Sequence, residues 1–387
     1  MNRHAIVGAR IFDGEAWHEH SALVVPGGGV EAIVGAEDLG SGIDRVELDG
    51  GMLVPGFVDL QVNGGGGVML NDRQDVETIR TICAAHAPFG TTALLPTLIT
   101  DTREITAATV EAGAQAAREH VPGFLGLHLE GPHLSIARKG AHDPALIRQM
   151  SDADEAALIA AHEKVPHLLT TVAPESVTPE RIARLVAAGI VVSLGHSDTT
   201  YTSAAGAAKA GASMVTHLFN AMSQIGNREP GLVGAAIDTG TLYAGLIADG
   251  IHVDPAVMRI ALAAKSGPAR IFLVTDAMAT IGTGMTSFTL NGRLIKRENG
   301  SLRLEDGTLA GADLDMISAV RFMHRTIGIS LDEALRMASL YPARAMGVDH
   351  RHGRLGKGSA ANFVHLSSDL DVRGVWIDGQ KVFGKLA

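Results

Sequence analysis

From about residue 53 the chain repeatedly alternates a short apolar run of strand length with an amphipathic stretch of helix length. LLPTLIT precedes the helical TREITAATVEAGAQAAREH, and FLGLHLE follows it. HLLTTVAP leads to TPERIARLVAAG, VVSLGHS to TSAAGAAKAG, and SMVTH comes next. YAGLIADG precedes PAVMRIALAAKSG, and IFLVTDA closes the series. Counting GFVDLQVNG as the first run gives eight strand candidates. Alternation of this kind builds a parallel sheet covered by helices, because a crossover connection must return each strand to the same direction. Eight such units can close on themselves as a (β/α)8 barrel. The alternative is an open doubly wound sheet, but no GxGxxG stands between a strand and a helix to give it a nucleotide fingerprint.

The two ends of the chain have a different texture. HAIVGARIF, SALVVPGGG, VEAIVG and RVELDGG are brief strands punctuated by glycine, and RLGKGSAANFVHLSSDLDVRGVWIDGQKVFG matches them. Residues 1–52 and 355–387 are therefore expected to pair as one small β-sandwich domain, flanking a barrel domain at 53–354. SFTLNGRLIKRENGSLRLEDGTLAG reads as hairpins inserted after the last barrel strand.

In a barrel, reactive side chains gather at the C-terminal ends of the strands. Four apolar runs end there on a group able to bind metal or carry a proton: Glu130, His196, His217 and Asp276. One such residue alone reads as a helix cap or a satisfied polar group, but four at equivalent positions read as a site. A carboxylate and two imidazoles suit zinc with a position open for water, and a further carboxylate could move a proton. His128 shares the alternation parity of Glu130, so it too could face inward as a ligand. Gln61 and Asn63, two apart on the first strand, share a face before a run of glycines. They read either as groups supporting the metal or water, or as the polar lead-in to a turn. His142, Asn220, Ala221, Arg228 and His252 lie in loops beyond these strands, where N–H groups, a guanidinium and imidazoles could grip a phosphate.

Composition bounds the partners. A formal net charge of −10 argues against nucleic acid, which needs a basic surface. The single cysteine, Cys83, rules out an intrachain disulfide or a thiolate cluster and reads as a buried thiol on a helix. No uncharged apolar stretch approaches the roughly 20 residues of a membrane span, and the N-terminus lacks a signal-peptide core. A cytoplasmic enzyme with no membrane partner is expected.

LVPGFVDLQVNGGGG, GLHLEGPHL, KGAHDP, VSLGHSD, THLFNAM, NREPGLVGA, IADGIHVD, LVTDAM, GTLAGA and LYPARAMGV, in that order, resemble the N-acetylglucosamine-6-phosphate deacetylases, a branch of the amidohydrolase superfamily. The resemblance spans nearly the whole chain. It implies a metal-bearing barrel with a small β-sandwich, and one divalent ion, zinc being the expected one, on Glu130, His196 and His217. It further implies Asp276 as catalytic acid/base and His142 as the group polarising the acetyl carbonyl. Asn220, Ala221, Arg228 and His252 would hold the phosphate, with Arg228 reaching across a homodimer interface. Ala141 would join the substrate contacts, and Leu309 would cover the sugar and acetyl group. Many amidohydrolases carry His-x-His on the first strand and bind two metals; Gln61 and Asn63 stand there, so a second metal is expected to be weak or absent. His133 replaces an aromatic residue common in relatives and is read as packing. Alternatives are a deacetylase of N-acetylgalactosamine 6-phosphate, another amidohydrolase acting on an acylated amine, and an inactive barrel used in assembly.

Overall fold

The computed structural model describes residues 3–384; residues 1–2 and 385–387, the extremes of the expected small domain, lie outside the described residues. Eight parallel strands run side by side in chain order. They are β1 (Phe57–Val62), β2 (Thr91–Ile99), β3 (Leu127–Glu130), β4 (Leu168–Val172), β5 (Val191–Leu194), β6 (Met214–Val215), β7 (Tyr243–Leu246) and β8 (Ile271–Leu273). The helices between them are α1 (Val76–His86), α2 (Arg103–Arg118), α3 (Asp152–His162), α4 (Pro179–Ala187), α5 (Tyr201–Lys209), α6 (Gly231–Asp238) and α7 (Pro255–Ala264). This is the expected barrel. Its strands are near-continuous apolar runs because both faces are covered, one by the helices and one by the barrel interior.

Local chemistry sets where most of these helices begin. Thr102, Ser151, Thr178 and Thr200 each accept a hydrogen bond from the backbone N–H three residues on, and Asp254 does so two residues on, satisfying otherwise orphaned donors. Pro179 and Pro255 occupy the first turn, where no N–H is needed. Cys83 is buried on α1, and burial pushes its thiol up to about 12, so it is an inert packing group.

The row of strands closes irregularly. No ladder joins β8 to β1. At the seam Asp276 N–H donates to Gln61 O at 3.0 Å, Asn63 N–H donates to Ala277 O at 2.8 Å, and Val62 and Ala277 form an isolated bridge.

The two chain ends build a pair of sheets beside the barrel. One is ordered Gln380–Phe383, Val372–Ile377, Phe363–Leu366, Met52–Pro55, Arg10–Phe12, Trp17–His18, and the other Ala32–Gly35, Ser21–Pro26, Arg3–Val7, Asp44–Glu47. Ile6, Ile11, Leu23, Leu53, Phe363 and Trp376, from both sheets, share one core. After β8 the chain forms the hairpins expected there, an antiparallel sheet of Ser287–Leu290, Arg293–Glu298, Ser301–Leu304 and Leu309–Ala312. Its apolar face, with Phe288, Leu290 and Ile295, packs on Met69, Ile99 and Met278 at the barrel rim. Among the described residues no helix is long and apolar enough to cross a membrane.

Candidate metal centre and active site

The ladder register places Glu130, the last residue of β3, level with Thr171, Ser193 and Met214 on the next three strands. His196 and His217 each stand two residues past the end of their strands, and Asp276 stands three past its own. All three have left-handed backbone, with φ of +46°, +29° and +51°. Such values are uncommon for residues with a Cβ and cost about 1–3 kcal/mol each, so they mark places where the fold holds the chain against its preference.

Glu130 Oε1 lies 3.2 Å from His196 Nε2 and 3.1 Å from His217 Nε2, and the two imidazole nitrogens are 3.0 Å apart. Three donor atoms that close on one another cannot all be satisfied by mutual hydrogen bonds. They fit one face of a small divalent ion's coordination shell, with bonds of about 2.0–2.1 Å. His196 Nδ1 is 2.9 Å from the Arg138 carbonyl, which accepts its N–H and leaves the Nε2 lone pair for a metal. Gln61 Nε2 donates to Glu130 Oε1 at 3.1 Å, orienting the carboxylate from behind. Burial alone would raise the Glu130 pKa, but His196 and His217 outweigh it and hold the carboxyl well below its usual range. Burial would lower His217, and Glu130 outweighs that and raises it.

His142 also approaches the cluster: its Nε2 is 3.9 Å from Glu130 Oε2, and a metal-binding group of Glu130, His142 and His196 can be drawn as well as one with His217. The shorter contacts favour His217. The hydrogen bonding of His142 agrees. The Thr100 backbone N–H, which can only donate, points at Nδ1 at 3.3 Å, and the Thr100 hydroxyl is 2.7 Å from the same nitrogen. Nδ1 is then the acceptor, and Nε2 carries the hydrogen into the site. Burial, then His196, push the His142 pKa well down, so the ring is neutral.

Asp276 faces this group from the last strand. Asn63 Nδ2 donates to its Oδ1 at 2.6 Å. Burial, then the negative charge of Glu130, raise its carboxyl to about 6, against the opposing pull of His217 and Asn63. These groups line a cavity of about 380 Å³.

The chain matches the amidohydrolase family over residues 52–382, and its residues 4–53 match the NagA composite domain. The chain belongs to the amidohydrolase family. An N-acetylgalactosamine-6-phosphate deacetylase of Shewanella sp. (strain ANA-3) is 42% identical over 97% of this chain and 95% of its own length. An N-acetylglucosamine-6-phosphate deacetylase of Haemophilus influenzae is 37% identical over 93% and 94%. The solved N-acetylglucosamine-6-phosphate deacetylase from Pasteurella multocida superposes with a TM-score of 0.94 at 38% identity, covering 98% of this chain and 99% of that one. A mutant of the Mycobacterium smegmatis deacetylase, in complex with N-acetyl-D-glucosamine-6-phosphate, gives 0.91 at 32% identity, covering 99% of this chain and 100% of that one.

Within this amidohydrolase cavity lie Asn63, Ala141, Asn220, Ala221, His252 and Leu309, all singled out in the sequence. Arg228 does not line it; it is exposed on the loop before α6. His128 lies below the cluster of Glu130, His196 and His217 rather than in it. Its Nδ1 is 3.3 Å from Thr97 Oγ1 and its Nε2 is 2.8 Å from Thr171 Oγ1, so both ring nitrogens are engaged in a buried network that continues to Thr216 and Ser193. His133 points outward, its Nδ1 on the Arg148 carbonyl, into a separate cavity between α2 and α3. Three supporting residues went unread in the sequence. Thr100 sets the His142 tautomer, and Asp249 binds His252 Nδ1 at 2.6 Å with its Oδ2. Asp59 lies buried at the seam. The Asp249–His252 spacing of three and the end-of-strand place of Thr100 were available signals. Ile99, Met278 and Leu290, which wall the cavity on one side, carry no sequence signal, because the inserted sheet brings them together.

Proposed function

We propose that this chain hydrolyses the acetamide of N-acetyl-D-glucosamine 6-phosphate, releasing acetate and D-glucosamine 6-phosphate. The observation that carries the reading is the convergence of Glu130, His196 and His217 beside a buried carboxylate, Asp276, and a neutral imidazole donor, His142. The relatives named as deacetylases of phosphorylated amino sugars, alike over almost their full length, support it.

Glu130, His196 and His217 would hold one divalent ion, zinc by their chemistry. Bound there, the ion supplies Lewis acidity that acidifies a water and polarises the amide. Asp276 accepts the proton of the attacking water and returns it to the departing amine nitrogen, so the carbon–nitrogen bond breaks with a neutral leaving group. His142 Nε2–H donates to the carbonyl oxygen as it gains charge. Gln61 and Asn63 spend their amide N–H groups on Glu130 and Asp276, which supports a single ion and a second site that is weak or absent.

Asn220, Ala221 and His252 would take the sugar phosphate, with Ala141 and Leu309 against the acyl group and sugar. Arg228, exposed outside the cavity, would complete the phosphate site of the other subunit in a homodimer. Residues 1–52 and 355–387 would form one small domain on the catalytic barrel, 53–354, a division their shared core supports. The enzyme would work in the cytoplasm.

A second reading, deacetylation of N-acetylgalactosamine 6-phosphate, is favoured by the 42% identity to the Shewanella protein. One experiment separates these. Bound metal is measured, then acetate release from N-acetylglucosamine and N-acetylgalactosamine, each with and without the 6-phosphate. Faster turnover of the galactosamine ester would replace the first reading with the second. Equal rates with and without phosphate would contradict the phosphate site.

A further inference from the structure

We propose that Asp59 is a positioning residue for Asp276: its buried carboxylate ties the first barrel strand to the threonine before Asp276 and so holds the turn that aims Asp276 into the cavity. The assignment rests on the reading of Asp276 as the proton carrier.

The geometry is specific to the seam. Asp59 Oδ1 accepts from the Thr275 backbone N–H at 3.2 Å and from the Gln61 N–H at 3.3 Å, and Asp59 Oδ2 accepts from the Thr275 hydroxyl at 2.5 Å. Thr275 Oγ1 in turn accepts from the Ala277 N–H at 3.3 Å. The residues on both sides of Asp276 are therefore held by one carboxylate–hydroxyl pair. Asp276 N–H itself goes to Gln61 O, and its carbonyl takes the Ala312 N–H at 2.8 Å. A φ of +51° on a residue with a Cβ persists only where the surroundings over-determine it, and this network supplies that.

Closing a barrel does not by itself require a carboxylate. Asp59 is fully buried and its hydrogen-bond partners are neutral. A buried carboxyl in such surroundings is costly, and an apolar side chain would fill the space without that cost. Burial pushes Asp59 up to about 7, with its three donors opposing. What the carboxylate provides and an apolar residue does not is two acceptors aimed at Thr275. Glu130, His196 and His217 stand on β3 and beyond β5 and β6; the clamp reaches them only through Gln61, whose N–H it holds and whose amide meets Glu130, whereas it holds the residues on both sides of Asp276 directly.

The test uses the metal-loaded full-length enzyme and the phosphorylated N-acetyl amino sugar that the wild type turns over. Asp59→Asn removes the acceptor for the Thr275 hydroxyl, Thr275→Val removes the hydroxyl, and Thr275→Ser keeps it. Misplacement by an ångström can cost about a hundredfold, so Asp59→Asn and Thr275→Val should lose about tenfold to a hundredfold in kcat, with KM within about threefold. Metal content should stay at the wild-type value, and Thr275→Ser should restore kcat to within about threefold of wild type. Wild-type kcat in folded, metal-loaded Thr275→Val would overturn the assignment. So would a loss of kcat that merely follows lost metal. A wild type that releases no acetate from any of the amino sugars would remove the deacetylase reading itself, and this assignment with it.

Discussion

Replacing His142 decides whether the imidazole beside the metal group is a donor or a ligand. Its Nδ1 receives the Thr100 backbone N–H, which leaves Nε2–H to meet an oxyanion. In the opposite tautomer Nδ1–H would donate to the Thr100 hydroxyl, and that hydroxyl would donate its own hydrogen bond to the Glu130 carbonyl, 3.4 Å away. Nε2 would then be bare and able to bind metal. The donor reading has a definite magnitude: removing one oxyanion donor costs about a hundredfold to a thousandfold in kcat, or about 3–4 kcal/mol of barrier. His142→Phe should fall in that range while retaining its metal. Thr100→Val should lose only severalfold, because the backbone N–H at 3.3 Å still selects the same tautomer. The assay pairs steady-state acetate release with metal analysis of the same preparations. If His142→Phe arrives with its metal lost or greatly reduced, His142 is a ligand and the donor argument fails. If Thr100→Val is as impaired as His142→Phe, the backbone N–H does not set the tautomer.

Asp276→Asn should keep the metal and lose about a hundredfold to ten-thousandfold in kcat, the usual range for removing a positioned acid/base; turnover close to wild type would remove it from the reaction. Arg228→Ala should raise KM for the phosphorylated sugar at least tenfold, since a hydrogen bond to a charged group contributes about 1.5–3 kcal/mol, and should leave the unphosphorylated sugar untouched. His86 is wholly buried with its Nε2–H on the Gly64 carbonyl, and burial pushes it down to about 4, below the 6.5 of a free imidazole. The unfolded chain then binds more protons between those values, so stability falls as pH drops from about 6.5 toward 4. The His86 share is about 2 kcal/mol at about pH 5, and His86→Gln should shrink the difference between the urea unfolding free energies at about pH 7.5 and pH 5 by about that amount. Identical pH dependence in variant and wild type would refute it.

The barrel and the four polar groups that converge at its strand ends were legible because parallel strands buried on both faces leave a strong apolar signal, and because polar groups interrupt that signal only where the strand emerges. Glu130, His196, His217 and Asp276 are such interruptions. Depth was not legible. His128 and Glu130 are two apart and share a face, yet one sits a layer lower, engaged by threonine hydroxyls, and the other at the mouth. Parity along a strand gives the face and leaves the layer open; the layer depends on ladder register across the barrel. Asp59 was missed for a related reason. It shares the face of Gln61 and Asn63, but its partner Thr275 is 216 residues away, across a seam that exists only once the row has closed. Arg228 shows another limit: its place in the motif gave no sign that the folded chain leaves it exposed and outside the cavity.

The left-handed φ values connect these observations. A strand that simply ran on past its last ladder bond would alternate its side chains, and a residue two or three positions out would reach the mouth only by chance of parity. At His196, His217 and Asp276 the chain instead turns through φ of +46°, +29° and +51°, which redirects each side chain into the cavity just where the strand ends. Three such residues together cost about 3–9 kcal/mol, comparable with the net stability of a whole domain, so the turns exist only because neighbouring bonds compel them. His196 is held through its ring on the Arg138 carbonyl and its own carbonyl on the Ser135 N–H, while Leu218 N–H, after His217, is held by Gly245 O. Asp276 has the seam. Each of these three turns is thus restrained by a different neighbour, and a metal ion held by Glu130 and the two histidines would be met by groups already turned toward it.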